Sequence, residues 1–563
     1  MKDEGESSIS RLSIFVSSAL RDVWLVWLAL AILTTLPYAA AALRTPTGYV
    51  FSGVLTAYDD TFTYLAWMRQ SADGHLFLCD LFTSEPQPCE FFLPLWNILG
   101  LIARVTRIPI PLTFHAARLL AGLLLLIVAR DVAGSVMKSR TRVRYSLWLY
   151  AMSGGLGWLV FALKTRGHLF AATAASGSVD LNLPETLAFR SVFSQVHFAV
   201  GGALVCGAVM VFFSALVERK TNRALIAGML ISLLAVVHPY MVVVVCAVAG
   251  VALLALPWLN DRSNAARVDY YSGARAGVAF GAGTIPGLAY LIYLNRSNEV
   301  LREWLRATDT FSPPPWEYAL GFGIVGVLAV IGFSLMRNRR GPYGRLLLIW
   351  ALVQAALLYA PVSFQRRFVE GLQLPLSIAA SIALFWMARR LNRAAQYRSL
   401  FLTGALAFAS VTNVGFVAGQ LIARGAGSGS TDPRRYVHAD LVAAFAWLRA
   451  SSQPDAVLFA SYWTGSLAPS MTGLRVFLGH YAQTLRSDEK SAQVAAFYAN
   501  TMTSDGAREL FAEHRVRYVI YGQFEREISG TFTPPDWLRL AYRNSDVEVF
   551  EVEVNEADGS RPP

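Results

Sequence analysis

Two adjacent carboxylates, Asp59 and Asp60, stand in "LTAYDDTFTYLAWMRQSADG", soon after a long apolar run. An ionised carboxylate beside a bilayer is costly to desolvate, so the pair needs a structural or a chemical reason. The structural one is local: an aspartate just ahead of a helix starting near Thr61 accepts free backbone N–H groups as a cap. That accounts for one of the two. The chemical one is a general base at the lipid–water boundary, where partial desolvation and a neighbouring carboxylate both favour holding a proton. Cations occur in "PVSFQRRFVEGLQLP": Arg366 and Arg367 sit in a short turn between two apolar runs, and guanidinium suits bidentate contact with phosphate. Snorkelling to lipid headgroups is the alternative. A further stretch, "GSVDLNLPETLAFRSVFSQVHF", carries Asp180, Glu185, Arg190 and His197. Glu185 there either positions an acceptor or metal, or marks the start of a helix after Pro184. His238 in "VVHPY" either bonds phosphate or sugar, or simply ends a helix before Pro239.

The elements that must position these groups are apolar. With 55% hydrophobic residues, 15% charged residues and a mean hydropathy of +0.42, the 563-residue chain reads as a polytopic α-helical membrane protein. Eleven spanning runs are expected, near 23–43, 113–130, 145–163, 196–217, 224–238, 240–258, 276–294, 317–336, 345–361, 369–388 and 399–420. The first is long enough to span and lacks a convincing cleavage site, so it is expected to remain as an anchor. Basic clusters ("RDVAGSVMKSRTRVR", "ERKTNR", "NDRSNAAR", "RNRRGPYGR", "ARRLNRAAQYR") occupy every second loop, which assigns those loops and the N-terminus to the cytoplasm. The net charge of +11 is thus spent on loops, not on one basic face, and no nucleic-acid partner is expected. "FFLPLWNILGLIA" (91–103) is short and interrupted by Pro94, so it is expected to lie on the outer surface of the bilayer, which preserves the alternation. By this parity Asp59, Asp60, Glu185, Arg366, Arg367 and the tail share the outer side, and the acidic and cationic groups are expected to meet in one wet pocket. The abundance of arginine over lysine suggests a bacterial plasma (inner) membrane.

Beyond 424 the composition turns polar. Helical patterns ("DLVAAFAWLRA", "GARELFAEHR") alternate with strand-like "AVLFAS", "RVFLG" and "VRYVIYG", which predicts a C-terminal soluble α/β domain at 424–563 after a membrane domain at 1–423. The linker "RGAGSGSTDP" joins them. Cys79 and Cys89 flank "DLFTSEPQP" in the first external loop and either form a disulfide or are unrelated thiols. No second pair of ligands near them suits zinc.

A first span, then an external loop with the acidic pair in "YDDTFTYLAWMRQSADG", then surface helices before the next span, resembles the GT-C superfamily of polyprenyl-phosphate-sugar-dependent glycosyltransferases. Oligosaccharyltransferases and protein O-mannosyltransferases belong to it. The resemblance covers the architecture of nearly the whole chain, about eleven transmembrane helices, through short and degenerate motifs. It implies that Asp59 or Asp60 is the catalytic base or a metal ligand. "FASYWTGSLAPSMTGLRVFLGH" is similar to the tryptophan-rich acceptor segment of oligosaccharyltransferases, but Thr464 follows Trp463 where an acid is expected, which counts against sequon recognition. On this reading a sugar moves from a polyprenyl-phosphate carrier in the membrane lipid to a lipid, glycan or protein acceptor, with inversion. Asp59 or Asp60 is the base, Arg366 and Arg367 hold the phosphate, and Tyr462, Trp463 and His480 bind the acceptor. A divalent ion, Mg or Mn, is a candidate cofactor that no spacing demands. Two other classes are a transporter or lipid flippase, against which stand the absence of a repeat of halves and the few charges inside the spans, and a noncatalytic assembly partner using the same fold.

Overall fold

The computed structural model describes residues 2–165, 177–259, 270–337, 341–391, 395–422, 432–453 and 455–553. The basic cluster at 260–267 and most of the linker at 424–431 lie outside them. Among the described residues eight helices are long and apolar enough to cross a membrane. They are Arg21–Leu43, Ile110–Val136, Arg140–Leu163, Val196–Glu218, Tyr270–Ser297, Pro315–Met336, Gln365–Arg390 and Ala395–Ile422. Three shorter apolar helices, Thr221–Val237, Met241–Leu254 and Pro342–Leu357, stand at the remaining expected runs. Helix is the form such runs must take, because hydrocarbon offers no partner to a backbone N–H or C=O outside the segment itself.

The chain divides into two compact units. One comprises residues 1–39, 115–292 and 309–427 and holds most of these helices. Its helices approach closely through small residues: a side chain on Gly332 would run into the carbonyl of Ala379 on the facing helix Gln373–Arg390. Arg118, fully buried, ties three segments by donating to the carbonyls of Thr34 (3.2 Å), Val192 (2.8 Å) and Phe193 (3.2 Å) while lying over the Tyr38 ring.

The other unit joins residues 40–114, which include the loop expected at 44–112, and residues 293–308 to the chain from 428 onward. The tail is therefore not the whole of its unit, as the boundary at 423/424 had it. A short strand from the loop, β1 (Tyr49–Phe51), pairs antiparallel with β2 (Tyr436–His438). The helix Tyr58–Asp73 packs on Tyr462–Thr472, with Arg69 Nε donating to the Ser470 carbonyl at 3.3 Å. Five further strands, β3 (Val457–Phe459), β4 (Arg475–Val476), β5 (Val516–Tyr521), β6 (Leu538–Arg543) and β7 (Glu548–Val552), form one sheet in the order β4-β3-β5-β7-β6. β3, β4 and β5 run parallel at the three strand-like stretches of the sequence. The β6–β7 hairpin was not foreseen, since its charged, half-exposed residues blur the apolar alternation. Phe459, Phe477, Phe497, Tyr498, Phe511 and Phe550 fill the core beneath.

The helix Pro94–Thr106 buries Trp96, Leu99 and Ala103 but exposes Ile98, Leu101, Ile102 and Val105, an apolar stripe suited to the surface of a bilayer. Cys79 and Cys89 are joined in a disulfide. The loop they close is pinned to the tail: Lys490, buried, reaches Glu85 Oε2 at 2.8 Å, and the Thr484 hydroxyl donates to the Phe82 carbonyl at 2.6 Å. A cross-link separated by 10 residues should stabilise this unit by about 3 kcal/mol through the unfolded chain. Cys79→Ser with Cys89→Ser is expected to lower the thermal unfolding midpoint of the detergent-solubilised protein, and dithiothreitol should reproduce the shift in wild type only.

Candidate active site

In the loop-and-tail unit, the helix Tyr58–Asp73 begins at Tyr58, not near Thr61. Ala57 is its N-cap, in a left-handed conformation (φ 48°), and no side chain closes the first turn. The Thr61 N–H and hydroxyl instead both return to the Ala57 carbonyl, at 3.0 and 2.8 Å. Asp59 and Asp60 therefore sit inside the first turn, where the helix dipole favours anions, and neither acts as the cap.

Each aspartate meets a side chain more than 400 residues away. The Tyr462 hydroxyl donates to Asp59 Oδ1 at 2.8 Å. Burial, reinforced by the Asp59 charge, pushes the Tyr462 phenol above its ordinary range, so it stays a donor. His480 Nδ1 accepts the Ala482 N–H at 3.1 Å, which in the neutral ring leaves the proton on Nε2, 3.4 Å from Asp60 Oδ1. His480 is buried, whereas the Asp60 side chain is 60% exposed. Tyr462 and His480, expected to bind an acceptor, thus bond the carboxylates.

Trp463 is engaged as well. Arg434 lies 4.7 Å from the Tyr58 ring and 4.8 Å from the Trp463 ring, and grips Asp432 with Nε at 2.9 Å and Nη2 at 3.0 Å. The hydrogen bonds to Asp432 raise the guanidinium further above its ordinary range, with the Asp59 charge adding to the effect. The Tyr58 hydroxyl reaches Asp432 Oδ2 at 3.3 Å, and burial pushes this phenol up to about 12. Sequence reading passed over Arg434 and Asp432. The only available signal was an arginine pair beside an acid in "TDPRRY".

Beneath His480 lies Asp80, fully buried, with Oδ1 accepting the Phe82 N–H at 2.8 Å and Oδ2 without a hydrogen-bond partner among the described residues. Burial pushes its carboxyl up to about 7, against the opposing pull of His480, Arg475 and Lys490. A raised acid pKa means that the folded state holds the proton more tightly than the unfolded chain. The stability it confers is complete below pH 3.8 and is lost as pH rises through about 7. Asp80→Asn is expected to flatten this part of the unfolding midpoint measured between pH 4 and 8.

In the helical unit the remaining candidates gather. Arg366 and Arg367 lie in the 3-10 turn Gln365–Val369, held where the Arg366 N–H donates to the Thr310 carbonyl at 3.1 Å. The Arg367 guanidinium stacks on the Tyr240 ring at 4.7 Å. Arg366 Nε is buried without a hydrogen-bond partner among the described residues. His238 ends the helix Thr221–Val237 and is buried, as is Glu185 in the 3-10 turn Pro184–Thr186. Arg367 and Glu185 both act electrostatically on His238. Glu370, which sequence reading missed, lies with its Oε2 2.6 Å from His238 Nδ1. Its signal was an acid three residues beyond the arginine pair.

Among the described residues no group of three or more His, Cys, Asp or Glu side chains is arranged to hold a metal ion.

No family model matches the chain. No curated protein matches it either. Solved structures do. An oligosaccharyltransferase from Archaeoglobus fulgidus, crystallised with a tethered acceptor peptide containing the NVT sequon, superposes with a TM-score of 0.50 at 14% identity, over 91% of this chain and 70% of that one. ArnT from Cupriavidus metallidurans, bound to undecaprenyl phosphate, does so with a TM-score of 0.51 at 12% identity, over 96% and 99%. At these identities the likeness is one of fold.

Proposed function

Because the chain has the fold of the GT-C membrane glycosyltransferases, we propose that it transfers one sugar from a polyprenyl-phosphate carrier to an acceptor hydroxyl at the outer face of a bacterial plasma membrane. The observation that carries this reading is the aspartate pair. Two carboxylates occupy a helix's first turn without capping it, and each is held by a side chain from the far end of the chain.

Asp59 or Asp60 takes the proton of the acceptor hydroxyl, whose oxygen attacks the anomeric carbon. The bond from that carbon to the phosphate oxygen breaks, and its electron pair leaves with the lipid phosphate. A phosphate is already a good leaving group, so the demand is for cations to meet its charge, and Arg366 and Arg367 are suited to that. A single displacement inverts the anomeric centre. ArnT was solved with undecaprenyl phosphate, which supports a lipid-linked donor. A peptide sequon is the less favoured acceptor here, because Thr464 replaces the expected acid and Trp463 stacks on Arg434.

The test is transfer in proteoliposomes from polyprenyl-phosphate sugars labelled at the anomeric carbon. Label should leave the lipid and reappear in a glycoside of opposite configuration by NMR. Retention of configuration would refute the single displacement, and no transfer from any lipid-phosphate sugar would refute the function.

A further inference from the structure

The helical unit buries an acid and an imidazole in contact, and the phosphate grip described above does not account for them. Glu370 Oε2 lies 2.6 Å from His238 Nδ1, with both side chains at most 4% exposed. At that distance two lone pairs would repel, so the pair holds at least one proton. The alignment is nevertheless too poor for a hydrogen bond, and neither Glu370 oxygen nor either His238 nitrogen has such a partner among the described residues. Buried polar atoms left unsatisfied are costly and rare, which marks the pair as more than packing. Gly201 makes room for it: a Cβ there would meet Glu370 Oε1 at 2.6 Å and His238 Nδ1 at 3.3 Å. Glu185, Glu370, Thr186 and Gln373 also line one small cavity of about 10 Å³, the size of a single water.

The groups around His238 are Glu185 and Glu370 as acids, Arg367 as the cation, and the His197 and Tyr240 rings, with centroids at 5.5 and 6.0 Å. Glu370 also lies within electrostatic reach of Tyr150 and Cys206. With His238 neutral, Arg366 and Arg367 are matched by Glu185 and Glu370. The proposed transfer upsets that balance. A lipid phosphodiester carries one negative charge, and the monoester left after the sugar departs carries two above about pH 7. The added charge, placed against Arg366 and Arg367, favours one more proton nearby.

We propose that Glu370 and His238 form a proton-accepting dyad that takes up one proton as the lipid phosphate beside the arginine pair changes from diester to monoester. This rests on the function proposed above. The acceptor's own proton leaves on an aspartate and passes to water; the dyad draws its proton from water, so charge and atoms balance. The added proton sits on the Glu370 carboxyl, facing the Nδ1 of a neutral His238, and removes one negative charge beside the product until release.

The probes are a short-chain polyprenyl monophosphate and its methyl phosphodiester, bound to the purified full chain in detergent between pH 7.5 and 9. The monophosphate should lose affinity relative to the diester by up to tenfold per pH unit, and calorimetry in buffers of different ionisation heat should show uptake of about one proton per monophosphate. Glu370→Gln and His238→Gln, accepted only with a wild-type elution profile, should abolish both signals. Should neither variant fold, the wild-type comparison decides alone. Equal pH dependence for the two lipids, or unchanged uptake in folded variants, overturns the dyad and leaves the transferase reading standing. Failure of wild type to bind either lipid overturns that reading, and the dyad with it.

Discussion

Asp59→Asn and Asp60→Asn, made separately, should leave membrane abundance unchanged while sugar transfer by the variant that lacks the base falls about 100- to 10,000-fold. Asparagine keeps the shape of aspartate and an oxygen that can accept from Tyr462, so the helix start should survive at position 59. At position 60 the side chain is 60% exposed, and such surface changes cost about 0.5 kcal/mol or less. What asparagine cannot do at neutral pH is take a proton. The pair also ranks itself: the variant with the deeper loss identifies the base, and the milder one identifies the carboxylate that only orients. Tyr462→Phe is the control for orientation. Deleting its hydrogen bond to Asp59 removes about 1 kcal/mol, or about fivefold in rate if Asp59 is the base. Transfer at wild-type rate in both asparagine variants, measured with labelled donor in membranes, would reject the carboxylate mechanism.

Arg366→Gln and Arg367→Gln should each raise the donor concentration needed for half-maximal transfer by about 10- to 100-fold, the effect of losing one charge-assisted bond of about 1.5 to 3 kcal/mol. Lysine should restore only part of this, because a single ammonium cannot form the two parallel bonds of a guanidinium. Arg366 is the cleaner position, since Arg367 also packs on the Tyr240 ring and its loss mixes binding with stability. If both arginines merely snorkel to headgroups, kcat and KM will remain at wild-type values with any lipid-phosphate donor, and lysine will be equivalent to arginine at both positions.

How much of this was legible in the sequence follows from how local each property is. A membrane-spanning helix satisfies its backbone within itself, so an apolar run of sufficient length is a complete statement, and apolar helices stand at all the expected runs. The parallel strands of the tail were likewise legible, since each is a short apolar stretch bounded by turns. The Asp59–Asp60 pair was legible because two adjacent acids beside a bilayer are costly wherever they point. Their partners were not. Tyr462 stands 403 positions from Asp59, and nothing in "FASYWTG" indicates that its hydroxyl donates to a carboxylate.

The sequence by itself determined the class of protein, the positions of the apolar helices and the choice of candidate side chains, because burial in lipid and side-chain ionisation are properties of segments and residues. Only the tertiary structure decided who holds whom: the first loop folds with the tail, Arg434 lies between two aromatic rings, and Glu370 stands against His238. Each of these depends on packing between segments hundreds of residues apart, or on how a turn lays an acid against a neighbouring helix end, and a one-dimensional pattern carries no record of either.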